Sequence, residues 1–358
     1  MINRLHGGNV WQYLESSRRA IVDFSVNINP LGISDKIKNS IARSINEITY
    51  YPDPESKYLK KSLAGYHGLS PCNFLAGNGS NELIHLIPRA LKAKTVLIPV
   101  PTFSEYEYAA RANNANCLFV KSAEKDNFKI DISGLIRLIP KADIVFLCNP
   151  NNPSGFALSR KEILSLLKAC KRSNAMLVVD EAFVDFAASK DDIAMDEESA
   201  GSKNLLVLRS LTKLFVLPGL RMGYAVGHKE TIERLSRHIY PWNVNTLAQI
   251  ISAEVVEDEG YIRHTKKLVM KEKAYLYCNL NKTRGIKAYP SDANFFLCSL
   301  NDSKIKSAAA LTKKLMRQKI LIRNCDNFRG LDERFFRIAV KKREDNEKLV
   351  SALKGVLE

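Results

Sequence analysis

The chain has 358 residues, 46% hydrophobic and 26% charged, a balance that supports a large buried core and excludes a disordered or fibrous protein. Its formal charge of +16 comes from basic residues spread along the chain, with no basic tail, zinc finger or other nucleic-acid motif, so it reads as general surface charge or as suited to anionic small molecules. No apolar run is long enough to cross a bilayer, residues 1–20 show no signal-peptide pattern, and the seven dispersed cysteines form no C-x-x-C pair, so a cytoplasmic enzyme with reduced thiols and no metal centre is expected.

Residues 1–20 hold Arg4, His6-Gly7-Gly8-Asn9 and an apolar patch of Val10, Trp11 and Tyr13, which read as an ordered arm. An extended segment from Asp23 then meets a turn marked by Asn29-Pro30 and Gly32. Ile37, Ile41, Ile45 and Ile48 recur at helical spacing behind two capping candidates, Ser34 and Asp35, until Tyr50-Tyr51-Pro52 breaks the pattern. Residues 74–82 predict a strand, a glycine turn at Gly77-Asn78-Gly79 and the start of a helix, whose first N–H groups make an anion site.

A buried strand over 95–100 leads through Phe103 into another helix. Strands at 117–120, 144–148 and 176–179 alternate with helices at 132–139 and 159–171, the pattern of a largely parallel sheet. Asn152 and Asp180 therefore fall just past strand ends, where open α/β sheets bind ligands. A run over 204–208 precedes Lys213, and a short strand over 223–226 follows it. Helical pattern fills 229–282 apart from a loop at 240–243, and an α+β ending follows: strand within 286–300, helix 307–318, strands 320–323 and 335–340, closing helix 344–357. The expected fold is α/β, with a large domain over 36–248 built on a mostly parallel sheet and a smaller α+β domain made of 1–35 and 249–358.

Ser210-Leu211-Thr212-Lys213, followed by Pro218-Gly219-Leu220-Arg221, joins one lysine to two hydroxyls and an arginine. Such a lysine can form an imine once partly deprotonated, while Ser210, Thr212 and Arg221 suit a phosphate. A lysine taken alone would simply be solvated. The segment resembles the lysine motif of fold-type I enzymes that use pyridoxal 5′-phosphate. Over essentially the whole chain the resemblance is to the histidinol-phosphate aminotransferases and their relatives, the threonine-phosphate decarboxylases of cobalamin synthesis.

That resemblance implies Lys213 as the imine-forming amine, Asp180 at the ring nitrogen and Asn152 at the ring's phenolic oxygen. It further implies Phe103 over one ring face, with Gly79, Ser80, Asn81, Ser210, Thr212 and Arg221 around the phosphate. A homodimer follows in which Tyr51 reaches the neighbouring subunit's cofactor phosphate. His6-Gly7-Gly8-Asn9, residues 23–32 and residues 322–331 with Phe336-Arg337 look like the decarboxylase pattern, and Phe183 stands where the aminotransferases place a tyrosine. On this reading Arg323 and Arg337, helped by His6 and Arg4, hold the phosphate of L-threonine O-3-phosphate, and Asn29 also binds the substrate. Decarboxylation of L-serine O-phosphate and transamination of histidinol phosphate are the enzymatic alternatives. A basic nucleic-acid-binding or regulatory protein that keeps the fold is the non-enzymatic one.

Overall fold

Runs of Val, Leu and Ile bounded by turn residues become the strands that carry the site. The structure, a computed structural model, describes residues 7, 8, 10 and 21–357, so Arg4 and His6 lie outside the described residues. The strands in chain order are β1 (Val22–Asp23), β2 (Phe74–Asn78), β3 (Thr95–Val100), β4 (Asn116–Lys121), β5 (Ile144–Cys148), β6 (Met176–Asp180) and β7 (Leu205–Ser210). They continue with β8 (Met222–Val226), β9 (Ile286–Ala288), β10 (Phe295–Leu300), β11 (Ile320–Leu321), β12 (Arg323–Asn324) and β13 (Phe335–Ala339).

Seven of these form one sheet in the order β2-β8-β7-β6-β5-β3-β4. The neighbours β3–β4, β3–β5, β5–β6 and β6–β7 pair in parallel, whereas β8 runs antiparallel to both β7 and β2. Alternate residues feed two cores, as the period of a strand requires. Val145, Leu147, Leu177, Val179 and Val207 pack on one side, and Ile144, Phe146, Val178, Leu206 and Leu208 on the other. Cover on both faces explains why β5 and β7 are buried from end to end.

Helix signals hold where a cap and a buried face agree. Ser159 and Glu162 form a capping box at the start of helix Arg160–Ser173. Ser34 caps helix Asp35–Ser44 by accepting from the Ile37 N–H at 3.3 Å. That helix stops earlier than the isoleucine spacing predicts: Ile37 is fully buried, but a 3₁₀ turn begins at Ile45, and Ile45 and Ile48 are 45% and 60% exposed. The long predicted helical region resolves into Lys229–Ser236, Thr246–Val255 and Glu259–Lys282. Among the described residues no helix is long and apolar enough to cross a membrane.

The C-terminal strands form a second, antiparallel sheet in the order β12-β13-β10-β9. The predicted strand over 320–323 splits in two. β11 pairs in parallel with β1, whereas β12 pairs with β13 and sets Arg323 opposite Arg337. Helix Glu259–Lys282 spans the cores of both sheets, with Tyr261 and Val269 in the first and Leu276 and Leu280 in the second.

Candidate functional site

A cavity of about 290 Å³ opens where β2, β5, β6 and β7 end, at the low end of ligand-site volumes. Ten predicted cofactor contacts line it, namely Gly79, Ser80, Asn81, Phe103, Asn152, Asp180, Ser210, Thr212, Lys213 and Arg221. Arg323 and Arg337 line it from the second sheet. Tyr51 and Asn29 do not. Tyr51 is 80% exposed and lies against Trp242, ring centroids 4.8 Å apart.

Gly79 sits between β2 and helix Ser80–Leu91 with φ of +75°, a conformation that side chains disfavour. A Cβ there would come within 2.6 Å of Arg221 Nη2, so the glycine admits the guanidinium. As the N-cap it also offers no side chain to the first-turn N–H groups, which leaves the helix end fit for an anion. On the facing side the buried hydroxyls of Ser210 and Thr212 bond each other at 2.8 Å.

Lys213 lies in the short helix Leu211–Leu214 that follows β7. Burial, reinforced by Arg221 and Arg337 and opposed by Asp180, pushes its ammonium down to about 8, so a larger share is the neutral amine at neutral pH than for a solvated lysine. Asn29 serves the same segment from behind. Its N–H donates to Lys213 O at 3.1 Å and its Nδ2 to Leu214 O at 2.8 Å, Tyr261 Oη at 3.0 Å and Thr265 Oγ1 at 2.7 Å. With its Oδ1 also accepting from the Leu31 N–H at 2.9 Å, the expectation that Asn29 contacts substrate gives way to a bracing role.

Asp180 is buried at the end of β6, and burial raises its pKa. The Tyr106 hydroxyl donates to its Oδ2 at 2.7 Å and the Ala182 N–H to its Oδ1 at 3.1 Å, both favouring the carboxylate. One residue further along the chain a second set of charges begins. Arg209, just before Ser210, makes a two-pronged contact with Asp196 and approaches Glu181, just after Asp180, at 3.3 Å. Neighbouring strand ends are thereby tied together beside the cavity.

The two arginines expected at the substrate are almost wholly enclosed, Arg323 at 7% and Arg337 at 5% exposure, and they face each other in register across β12 and β13. Like charges opposite one another in a sheet destabilise it, and burial adds to the cost. Arg337 donates to Asn152 Oδ1 through Nη1 and to Ser25 O through Nη2 at 2.8 Å, while its buried Nε has no hydrogen-bond partner among the described residues. Burial, with Arg323 adding to it, brings its pKa down to about 10. Arg323 donates through Nη2 to Asn327 Oδ1 at 2.8 Å. Two guanidinium groups on one cavity wall could hold an anion.

Ser25, Asn27, Glu105 and Phe183 also line the cavity, and the buried Oδ1 atoms of Asn27 and Asn81 lack partners among the described residues. Asn27, two residues before the predicted Asn29, is the asparagine of that stretch that lines the cavity. For Tyr106 the available signal was its place one turn after Phe103, which periodicity alone reads as core.

Residues 19–353 match the family described as aminotransferase class I and II, and the chain belongs to that family, whose enzymes depend on pyridoxal phosphate. It is 34% identical over 361 residues to the threonine-phosphate decarboxylase of Salmonella typhimurium, covering 100% of this chain and 98% of that protein. Among solved structures, the L-threonine-O-3-phosphate decarboxylase from Porphyromonas gingivalis superposes with a TM-score of 0.84 at 31% identity, covering 94% of this chain and 99% of that one. The histidinol-phosphate aminotransferase from Clostridium acetobutylicum does so with a TM-score of 0.87 at 33% identity, covering 93% and 98%.

Proposed function

We propose that this protein is a pyridoxal-phosphate-dependent decarboxylase that converts L-threonine O-3-phosphate to (R)-1-amino-2-propanol O-2-phosphate and carbon dioxide, a step in cobalamin synthesis. The observation that carries the choice of a phosphorylated substrate is the in-register pair of buried arginines, Arg323 and Arg337, on the cavity wall. Full-length likeness to a threonine-phosphate decarboxylase supports the same choice.

The donor set fits the cofactor. A glycine-led helix end, two hydroxyls and Arg221 would hold its phosphate, Phe103 would cover the ring, and Asp180 would stand at the ring nitrogen. Because Asn152 Oδ1 accepts from Arg337, the Asn152 amide nitrogen is left to donate to the ring oxygen. When bound, the cofactor supplies an aldehyde that condenses with amines and a ring that draws off the electron pair of a bond broken at the substrate α-carbon.

The chain's own part is alignment. The bond that breaks is the one held perpendicular to the ring plane. Arg323 and Arg337 hold the substrate by its side-chain phosphate and so leave the α-carboxylate free to take that position. Neither arginine is then spent on clamping the group that must leave. Phe183, packed edge-on to Phe295 at 5.0 Å, brings no hydroxyl to the ring oxygen, which falls to Asn152. Lys213 would hold the cofactor through its amine, and the lowered pKa of its ammonium would let it carry protons as a neutral amine.

The same reading takes residues 36–248 as the cofactor lobe and 1–35 with 249–358 as the smaller one. A homodimer would bring the exposed Tyr51 to the partner's cofactor phosphate, and the cytoplasm is the proposed location. Product analysis by NMR with carbon dioxide release tests the proposal, using the cofactor-loaded protein with L-threonine phosphate, L-serine phosphate, and histidinol phosphate plus 2-oxoglutarate. Carbon dioxide with amino-propanol phosphate is expected. Glutamate without carbon dioxide would make the protein an aminotransferase, and preference for serine phosphate would shift the substrate by one methyl group, a small apolar contact.

A further inference from the structure

We infer that Tyr106 is a positioning residue for Asp180, its phenol fixing one carboxylate oxygen so that the group meets the ring nitrogen of the cofactor in a single orientation. The inference rests on the cofactor reading above and adds a residue to it. Tyr106 is fully buried in helix Glu105–Ala112. Its ring stacks on Phe146 of β5, centroids 4.9 Å apart and planes 9° from parallel, and meets the edge of Phe103 at 5.8 Å. Held on two sides, the ring aims its hydroxyl at Asp180 Oδ2, 2.7 Å away, and the hydroxyl also meets the Cys148 thiol.

A buried phenol requires a partner, so the bond could serve the tyrosine rather than the aspartate. Three features point the other way. Asp180 sits in surroundings that favour the neutral acid, and among its opposing contacts the Tyr106 hydrogen bond comes first, ahead of the Ala182 N–H and Lys213. The phenol remains a donor over the working range, because burial and then Asp180 hold its own ionisation far above that of free tyrosine. Through Phe103, Tyr106 also ties Asp180, the acid that would meet the ring nitrogen, to the aromatic side chain that would cover the ring, so both would shift with it.

Tyr106→Phe keeps the ring, its stack and its volume while removing the one hydroxyl. Affinity of the apoprotein for pyridoxal phosphate, followed by fluorescence quenching, is expected to fall about tenfold, the lower end for a hydrogen bond to a charged group. In the loaded protein kcat for carbon dioxide release should fall about 10- to 100-fold with KM for L-threonine phosphate within about twofold. The discriminating measurement is the cycle with Asp180→Asn: on that background Tyr106→Phe should cost less than about twofold in affinity, because its effect runs through the carboxylate. Wild-type affinity and kcat in Tyr106→Phe, or the same loss on both backgrounds, would overturn the inference. So would a lowered apoprotein melting temperature with unchanged affinity, which is what a merely structural tyrosine gives. If the wild type releases no carbon dioxide from threonine phosphate, the substrate proposal fails while the affinity cycle still judges Tyr106.

Discussion

Inorganic phosphate should stabilise the cofactor-loaded protein well beyond what chloride does at equal ionic strength. Burial brings the Arg337 pKa down to about 10 from the ordinary arginine range, and at about 1.4 kcal/mol per factor of ten the charged form costs on the order of 3 kcal/mol. Below about pH 10 the guanidinium is charged in both folded and unfolded chains and the cost is fully present, and it fades only as pH rises above about 10 toward the ordinary arginine range. An anion seated between Arg337 and Arg323 would recover part of that cost at neutral pH. Phosphate at about 100 times its dissociation constant contributes about 2.7 kcal/mol, and for a chain of this size the melting temperature should rise by about 4 °C.

Loading the cofactor first matters, because on the proposed reading its own phosphate would then occupy the region around Arg221 and the end of helix Ser80–Leu91. Differential scanning calorimetry in phosphate and in chloride, on the wild type, Arg323→Met and Arg337→Met, gives the comparison. The phosphate increment should shrink in Arg323→Met and vanish in Arg337→Met. Equal melting temperatures in the two salts, or an increment that survives both substitutions, would refute the anion-site reasoning.

Lys213, with its ammonium near 8, should capture pyridoxal phosphate faster as pH rises toward 8 and level off above it; Lys213→Ala should lose the visible absorbance of the bound cofactor, both followed by stopped-flow spectroscopy. Gly79→Ala puts a Cβ 2.6 Å from Arg221 Nη2 at a φ of +75°, so cofactor affinity should drop at least about tenfold by fluorescence titration. Asn27→Ala and Asn29→Ala should separate cleanly. The first raises KM for the phosphorylated substrate with little change in urea stability, whereas the second leaves buried partners unpaired and costs about 1–3 kcal/mol in urea unfolding.

The strands β3, β5 and β6 were legible because β-branched and leucine runs bounded by turn residues admit few alternatives, and the sheet rule then placed Asn152 and Asp180 at their ends. What escaped were relations between distant segments. Asn27 and Asn29 look alike in sequence, but the chain turns at Asn29, whose carbonyl accepts from the Gly32 N–H at 3.4 Å, and that turn carries its amide toward Tyr261 and Thr265. The register that sets Arg323 against Arg337 depends on splitting a predicted four-residue strand between two partners, β1 and β13. Ile45 and Ile48 kept the helical spacing without a surface to cover, so periodicity ran past the end of the helix. Tyr106 was hidden by its type, since an aromatic at that spacing reads as core until a carboxylate is found at its hydroxyl.

Because β8 runs against its neighbours, the chain leaves the large sheet at Ser210 and re-enters it at Met222 at the same end of the strands. Lys213 and Arg221 belong to that one excursion, closed by the pairing of β7 with β8. Closing so short a loop loses little entropy, so these two cations come to the cavity together within a single hairpin. Arg323 and Arg337 reach the same cavity from the far end of the chain, on strands that pair with each other in a separate sheet.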